Sequence, residues 1–274
     1  MVNILMDESS TSTYEYIIDK LNNEGALHFS LIDPDPIRQG PNKAAEMARL
    51  AVDKAGTDAI LIGGSTVFDQ RFVDDTISAI KNKVDVPIII FPGGIANVSP
   101  KADAILFMSI LNSTDPYFII GQQAIGSYTV KLANLEYIST GYLIIEPGGT
   151  AGWISNAKLL PRKKPKLTAA YSLAAEMFGF KLIYLEAGSG SESIPPEILK
   201  LCKKVIKIPI IAGGGIQSKE DARILVKAGA DIIVMGTFLE TNILNDNGAS
   251  LKVIIDEIKE AGKQVRNKKN FSKI

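Results

Sequence analysis

Three glycine-rich tips, each directly behind a short apolar run, dominate the chemistry this chain offers: Tyr184-Leu185-Glu186-Ala187-Gly188-Ser189-Gly190, Ile211-Ala212-Gly213-Gly214-Gly215-Ile216 and Val234-Met235-Gly236-Thr237. Glycine has no Cβ, so successive backbone N–H groups can close around an anion, and helices starting just beyond add their positive ends. That arrangement suits a phosphate. Gly214, Gly215, Gly236 and Thr237 would supply amide donors and one hydroxyl. A single glycine tip makes a tight βα turn and nothing more, whereas three together argue for an anion site.

Several acidic and polar residues fall in comparable places. Asp33 and Asp35 follow an apolar run in Leu31-Ile32-Asp33-Pro34-Asp35-Pro36, where two prolines stiffen the loop. Few hard oxygen ligands, with water completing the shell, suit Mg2+ carried on a diphosphate. Asp33 is the expected ligand, and Asp35 reads equally as a helix cap. Ser65, in Gly63-Gly64-Ser65-Thr66, is placed to serve the same ion, a phosphate or a helix N-terminus. Glu186 and Tyr184 sit two positions apart, on one side of a strand, so a carboxylate and a phenol would face the same way. Such a carboxylate can orient or deprotonate a hydroxyl, and such a phenol can donate to a phosphate. An ion pair with a lysine is the structural alternative for Glu186. Glu146, followed by Pro147-Gly148-Gly149, is the weaker acidic candidate. His28, the only histidine, lies at the start of an apolar run, so a histidine-dependent mechanism finds little support. The basic run Arg162-Lys163-Lys164-Pro165-Lys166 is either solvated charge or a closure over a diphosphate.

The elements that must position these groups are legible in the hydropathy pattern. Apolar runs rich in Ile, Val, Leu and Phe cover residues 27–32, 59–62, 87–91, 104–108, 142–145, 181–185, 209–212 and 231–235. Amphipathic stretches separate them, among them 42–54, 115–135, 166–178, 195–203 and 218–227. This alternation predicts a parallel sheet covered by helices, and eight repeats in one chain predict a single α/β domain, a (β/α)8 TIM-type barrel over residues 1–274. Residues 12–23 read as a helix that caps the barrel bottom within a 1–24 segment, and residues 241–274 as a C-terminal helix and tail. After residue 91, Pro92-Gly93-Gly94-Ile95-Ala96-Asn97-Val98-Ser99-Pro100 is too short and too rich in breakers for a normal helix, so an irregular or missing third helix is expected. In such a barrel every group named above except His28 falls on or beside the catalytic rim.

Composition narrows the partners. The 274 residues are 46% hydrophobic and 22% charged, enough for a full core, and 30 basic residues balance 30 acidic ones. Nothing in net charge points to nucleic acid or an anionic membrane. Cys202 is the only cysteine, which excludes an intrachain disulfide and fits a reducing compartment. No apolar run approaches about 18 residues, and the first residues lack a basic-then-apolar leader, so a cytoplasmic protein able to touch lipid is expected.

Taken together, His28-Phe29-Ser30-Leu31-Ile32-Asp33-Pro34-Asp35, Gly63-Gly64-Ser65-Thr66, the Glu146-Pro147-Gly148-Gly149-Thr150 segment, the stretch from Tyr184 to Gly190, Gly213 to Ile216 and Gly236-Thr237 resemble geranylgeranylglyceryl phosphate synthases. The resemblance covers about residues 25–240. It implies a modified barrel and transfer of a geranylgeranyl group from its diphosphate to the sn-3 hydroxyl of sn-glycerol 1-phosphate, an ether-forming step of archaeal membrane phospholipid synthesis. It further implies Mg2+ at Asp33 and Ser65, and glycerol phosphate at Tyr184, Leu185, Glu186, Ala187, Gly188, Ser189, Gly190, Gly214, Gly215, Gly236 and Thr237. Glu186 and Tyr184 become the catalytic pair, a homo-oligomer (dimer or hexamer) is implied, and Phe107, Met108, Tyr117, Phe118 and Tyr128 are candidates for an apolar tail groove. The chain departs from the family pattern at Arg38-Gln39-Gly40 and Gly94-Ile95-Ala96. A bacterial-type heptaprenylglyceryl phosphate synthase shares the same motifs. A phosphate-binding isomerase or synthase barrel, or a catalytically silent one, shares the glycine tips.

Overall fold

Eight parallel strands hydrogen-bond in sequence order and close on themselves, β1 meeting β8. In the computed structural model, which describes residues 11–37, 40–63 and 69–271, they are β1 (Leu27–Ile32), β2 (Ala59–Ile62), β3 (Ile88–Ile90), β4 (Ala104–Ile110), β5 (Glu136–Ile144), β6 (Leu182–Glu186), β7 (Ile210–Gly213) and β8 (Ile232–Met235). The helices are α1 (Thr13–Glu24), α2 (Pro41–Leu50), α3 (Gln70–Lys81), α4 (Gln122–Leu132), α5 (Gly149–Ile154), α6 (Pro165–Met177), α7 (Pro196–Val205), α8 (Lys219–Ala228), α9 (Thr237–Asn242) and α10 (Ala249–Phe271). The expected (β/α)8 barrel is thus the fold observed.

Local chemistry sets the element ends. Ser12 and Ser218 open α1 and α8 with reciprocal capping boxes to Glu15 and Asp221, and Gly25 ends α1 in the left-handed region at φ 83°. Proline at the first turn pre-sets φ for α2, α6 and α7. Between β3 and β4 only a single 3-10 turn, Ile95–Asn97, replaces the helix, as the breaker-rich sequence predicts. Two helices are less regular than their patterns suggest: α2 runs on into a π-helical turn, Ala51–Ala55, and another, Tyr117–Gly121, precedes α4. β5 starts at Glu136, ahead of the apolar run at 142–145, because its first residues are polar and anchor the bottom of the barrel. The Glu136 carboxylate accepts from the first amides of α1, Thr13 at 2.6 Å and Tyr14 at 3.0 Å.

Strand parity divides the core in two. Leu27, Phe29, Leu61, Leu106, Tyr142, Leu182 and Tyr184 fill the barrel interior, and Ile17 of α1 packs among them from below. Ile60, Ile88, Leu143, Leu185 and Ile233 face outward, against the helices. Because side chains alternate along a strand, Asp33 and Glu186, two residues past the last inward apolar positions Leu31 and Tyr184, open into the mouth.

Candidate active site

The sixth strand delivers the central acid. Leu182, Tyr184 and Glu186 share the inward parity, and both Tyr184 and Glu186 are buried. Oε1 of Glu186 accepts the Gly188 N–H at 2.6 Å, and Oε2 accepts the hydroxyl of Tyr142 at 3.3 Å. No lysine or arginine partners it among the described residues, so the ion-pair alternative is not what the structure shows. Burial raises the carboxyl pKa, the Gly188 and Tyr142 hydrogen bonds pull it back, and the charge of Asp33 pushes it up again. A carboxylate made more basic in this way suits proton acceptance at neutral pH.

Tyr142 had no place among the site residues read from the sequence. Its signal was available: β5 pairs with β6 so that Tyr142 lies beside Tyr184, with ring centroids 5.1 Å apart, and Phe91 completes the aromatic cluster. Burial, then the charge of Glu186, raises the Tyr142 phenol well above its ordinary value, so it remains a donor. Burial does the same for Tyr184.

The glycine tips of β5, β6 and β7 pack backbone against backbone around Glu186. A Cβ on Gly214 would lie 2.5 Å from Glu186 Oε1 and 2.7 Å from the Gly188 nitrogen, and one on Gly188 would lie 2.9 Å from the Gly149 nitrogen. Gly188 and Gly214 also hold φ of 98° and 84°, where a side chain is strained. Only glycine permits this close approach, which leaves amides clustered over a buried carboxylate. Ser189 and Gly190 are exposed at the tip. Leu185 and Ala187 point outward into the helix layer; the Ala187 amide donates to Gly213 O and its carbonyl accepts from Gly148, so both residues shape the cradle through their backbone. The Tyr184 hydroxyl lies under the β7 tip, 2.2 Å from where a Cβ on Gly213 would sit. Gly236 packs on Leu31 of β1, and Thr237 begins α9, exposed at the rim.

Asp33 has the inward parity of β1 and faces the same mouth, within electrostatic range of Glu186, Tyr142 and Tyr184. Solvent reaches its side chain, yet the mouth walls surround it on most sides; that burial and, second, the charge of Glu240 on α9 raise its carboxyl to about 6. A Cβ on Gly63 would lie 2.4 Å from Asp33 Oδ1, so the second-strand glycine makes room for this carboxylate. A hard oxygen at an open rim, repelled by a second carboxylate, fits a divalent cation that brings its other ligands on a diphosphate. Among the described residues no cluster of three or more His, Cys, Asp or Glu side chains is arranged to hold a metal by itself. Ser65 lies outside the described residues, as do Arg38 and Gln39. Glu240 was not anticipated, because it is contributed by a helix turn beyond the tip that carries Gly236.

The other sequence candidates separate. His28 is buried near the bottom, with Nδ1 2.8 Å from the Thr57 hydroxyl, far from any role in the mouth. Arg162 donates to backbone carbonyls of neighbouring loops, while Lys163, Lys164 and Lys166 are exposed. Phe107 and Met108 line a narrow apolar groove with Pro92, Ile95, Val98 and Val130, in the space left open by the missing helix. Tyr117 and Phe118 pack edge to face at 5.3 Å, and Tyr128 points to solvent, 77% exposed.

Comparison with known proteins agrees with this reading. The chain is 50% identical over 226 residues to geranylgeranylglyceryl phosphate synthase of Thermococcus kodakarensis, covering 82% of this chain and 88% of that one. It is 48% identical over 245 residues to the protein of the same name from Methanosphaera stadtmanae, covering 89% and 98%. The crystal structure of (S)-3-O-geranylgeranylglyceryl phosphate synthase from Thermoplasma acidophilum, in complex with sn-glycerol-1-phosphate, superposes with a TM-score of 0.86 at 41% identity, covering 92% of this chain and all of that one. The resemblance read from the motifs is therefore borne out, and with residues 19–262 matching the PcrB family, the chain belongs to that family.

Proposed function

We propose that this protein is a geranylgeranylglyceryl phosphate synthase, joining the geranylgeranyl group of its diphosphate to the sn-3 hydroxyl of sn-glycerol 1-phosphate through an ether bond. The observation that carries the reading is Glu186, buried with no cationic partner among the described residues, beneath Gly188 and Gly214, where a side chain would collide. The acceptor follows from the relative that binds sn-glycerol-1-phosphate on the same fold. In this reading the amides of residues 189–190, 214–215 and 236–237 hold the phosphate, which aims the free hydroxyl at Glu186.

The reaction breaks the bond between the prenyl C1 and the diphosphate oxygen, whose electron pair leaves with the diphosphate. The glycerol hydroxyl oxygen forms the new bond to C1, and its proton passes to Glu186. Tyr142 and the Gly188 amide fix the carboxylate so that one lone pair stays directed at the mouth. Asp33, with Ser65, would hold Mg2+, which when bound neutralises charge developing on the leaving diphosphate. The groove beside Phe107 and Met108 takes the start of the tail and excludes water from C1.

Among the described residues no helix is long and apolar enough to cross a membrane. A cytoplasmic enzyme meeting its lipid product at a membrane surface, without nucleic acid, fits this. Ile125, Tyr128 and Leu132 recur at helical spacing on the outside of α4, 61%, 77% and 86% exposed, which supports burial of that face in a homo-oligomer, a dimer or hexamer.

The test is incubation of purified protein with labelled geranylgeranyl diphosphate, sn-glycerol 1-phosphate and Mg2+, with sn-glycerol 3-phosphate and heptaprenyl diphosphate in parallel. An ether product from the 1-phosphate that disappears with chelator is expected. A preference for heptaprenyl diphosphate would replace the donor, and no product from either donor would move the site to other phosphate chemistry.

A further inference from the structure

We infer that Arg162 is a positioning residue for the glycerol phosphate cradle, acting as a clamp that holds the back of the sixth-strand loop against the seventh-strand glycines. The inference rests on the assignment of those glycines to glycerol phosphate. Arg162 lies in the loop after α5, and its side chain is half-buried. It donates to the carbonyls of Glu146 at 3.2 Å, Glu192 at 3.3 Å and Ser193 at 2.7 Å, and to the Glu192 carboxylate at 3.4 Å. Its own amide donates to the Glu146 carboxylate at 3.2 Å. One rigid fork thus joins the loop after β5 to the loop after β6, and a lysine offers no such planar geometry.

The segment it grips forms the wall behind the cradle. A Cβ on Gly215 would lie 2.4 Å from Ser191 O and 2.6 Å from the Ser193 nitrogen, so the β7 tip rests directly on residues 191–193. The loop has no regular structure there, and its other side-chain tether, Ser191, bonds only within the loop itself, to the carbonyls of Ala187, Gly188 and Glu192. Among the described residues, Arg162 is the side-chain tether that reaches residues 191–193 from another strand's loop. Its hydrogen bonds terminate on three backbone carbonyls and the Glu192 carboxylate, all within these loops, so the guanidinium acts on the cradle through the loop rather than on a ligand.

Steady-state kinetics and calorimetric binding of sn-glycerol 1-phosphate to Arg162→Ala, Arg162→Lys and Gly214→Ala decide the matter. For Arg162→Ala, KM for glycerol phosphate should rise about tenfold, the scale of one lost charge-assisted anchor, with kcat and KM for the prenyl diphosphate within about threefold. Arg162→Lys should recover only part of that loss. Unchanged glycerol phosphate affinity in Arg162→Ala, beside abolished binding in Gly214→Ala, would overturn the clamp alone. Equal weakening toward both substrates would make Arg162 a general brace and also overturn it. Unchanged binding in Gly214→Ala would instead overturn the cradle assignment. If Arg162→Ala does not fold, the kinetics of Arg162→Lys carry the same decision.

Discussion

Asp58 at the bottom of the barrel and Glu186 at its mouth are both buried carboxylates, and they are satisfied in opposite ways. Asp58 receives the His28 amide at 2.8 Å, the Lys20 ammonium at 2.9 Å and the Lys259 ammonium, which also meets Glu24. Burial alone would lower the Lys20 pKa, but the hydrogen bond and charge of Asp58 raise it on balance. Glu186 has one backbone N–H and one phenol, and among the described residues the charge that acts on it is that of another acid, Asp33. A carboxylate held by two ammonium partners and a backbone N–H ties together the elements that carry them and serves stability. One held by neutral donors beside a second acid stays poised to exchange a proton or meet a cation. The barrel thus gives Asp58 cationic partners at its bottom, while Glu186 at the mouth has only neutral hydrogen-bond donors among the described residues.

Substitutions at the two ends should therefore give opposite results. The largest effect is expected from Asp33→Asn, which should lower turnover by about 10³-fold or more, since in the proposed mechanism the Mg2+ that Asp33 would hold supplies several kcal/mol of leaving-group stabilisation. Its circular dichroism should be native, and near-normal turnover would remove Asp33 from the metal site. Glu186→Gln should cost about 10² to 10³ in kcat with little change in prenyl diphosphate affinity. Because burial of the charge is unfavourable, the same variant should melt no lower than the parent; a large drop in melting temperature would make Glu186 a structural group like Asp58. At the bottom, Asp58→Asn should lose about 3 kcal/mol in denaturant unfolding by removing the buried charge that Lys20 and Lys259 share, leaving them only Glu24 as an acidic partner among the described residues, while the folded fraction keeps its turnover.

The smallest expected effect is a pH dependence. Burial lowers the His28 pKa to about 3, the nearby Asp58 carboxylate opposing and Lys259 adding to the shift. The unfolded chain therefore binds a proton near pH 6.5 that the folded chain refuses, so the folded state is fully favoured above that pH and loses stability as pH falls below it. Between pH 6.5 and 5 the loss from this residue is about 2 kcal/mol. His28→Gln should flatten that part of the stability curve, and an unchanged slope would show that His28 accepts a proton in the folded state. Asp33 at the mouth has the reverse sign: its folded carboxyl holds its proton up to about 6, so its contribution weakens as pH rises from the unfolded range to that value.

Much of this was legible residue by residue. The apolar runs, the capping serines at 12 and 218 and the breakers after residue 91 announce strands, helices and the missing helix, because pitch, caps and turns are set by neighbours in sequence. Inward parity of Tyr184 and Glu186 follows from the two-residue period of a strand. The early start of β5 was not legible, since the polar Glu136 earns its place in a strand only by meeting the amides of α1, more than 120 residues away.

Local pattern alone places Asp33, Glu186 and the glycine tips of β6, β7 and β8 at the strand ends. Only the tertiary structure decided what each group meets there: Tyr142 beside Glu186, Glu240 beside Asp33, Arg162 on the sixth-strand loop, and His28 sealed away with Thr57. The reason is physical. Backbone conformation answers to local sterics and hydrogen bonds, whereas these pairings join residues from 29 to more than 200 positions apart and arise when the barrel closes with a fixed register.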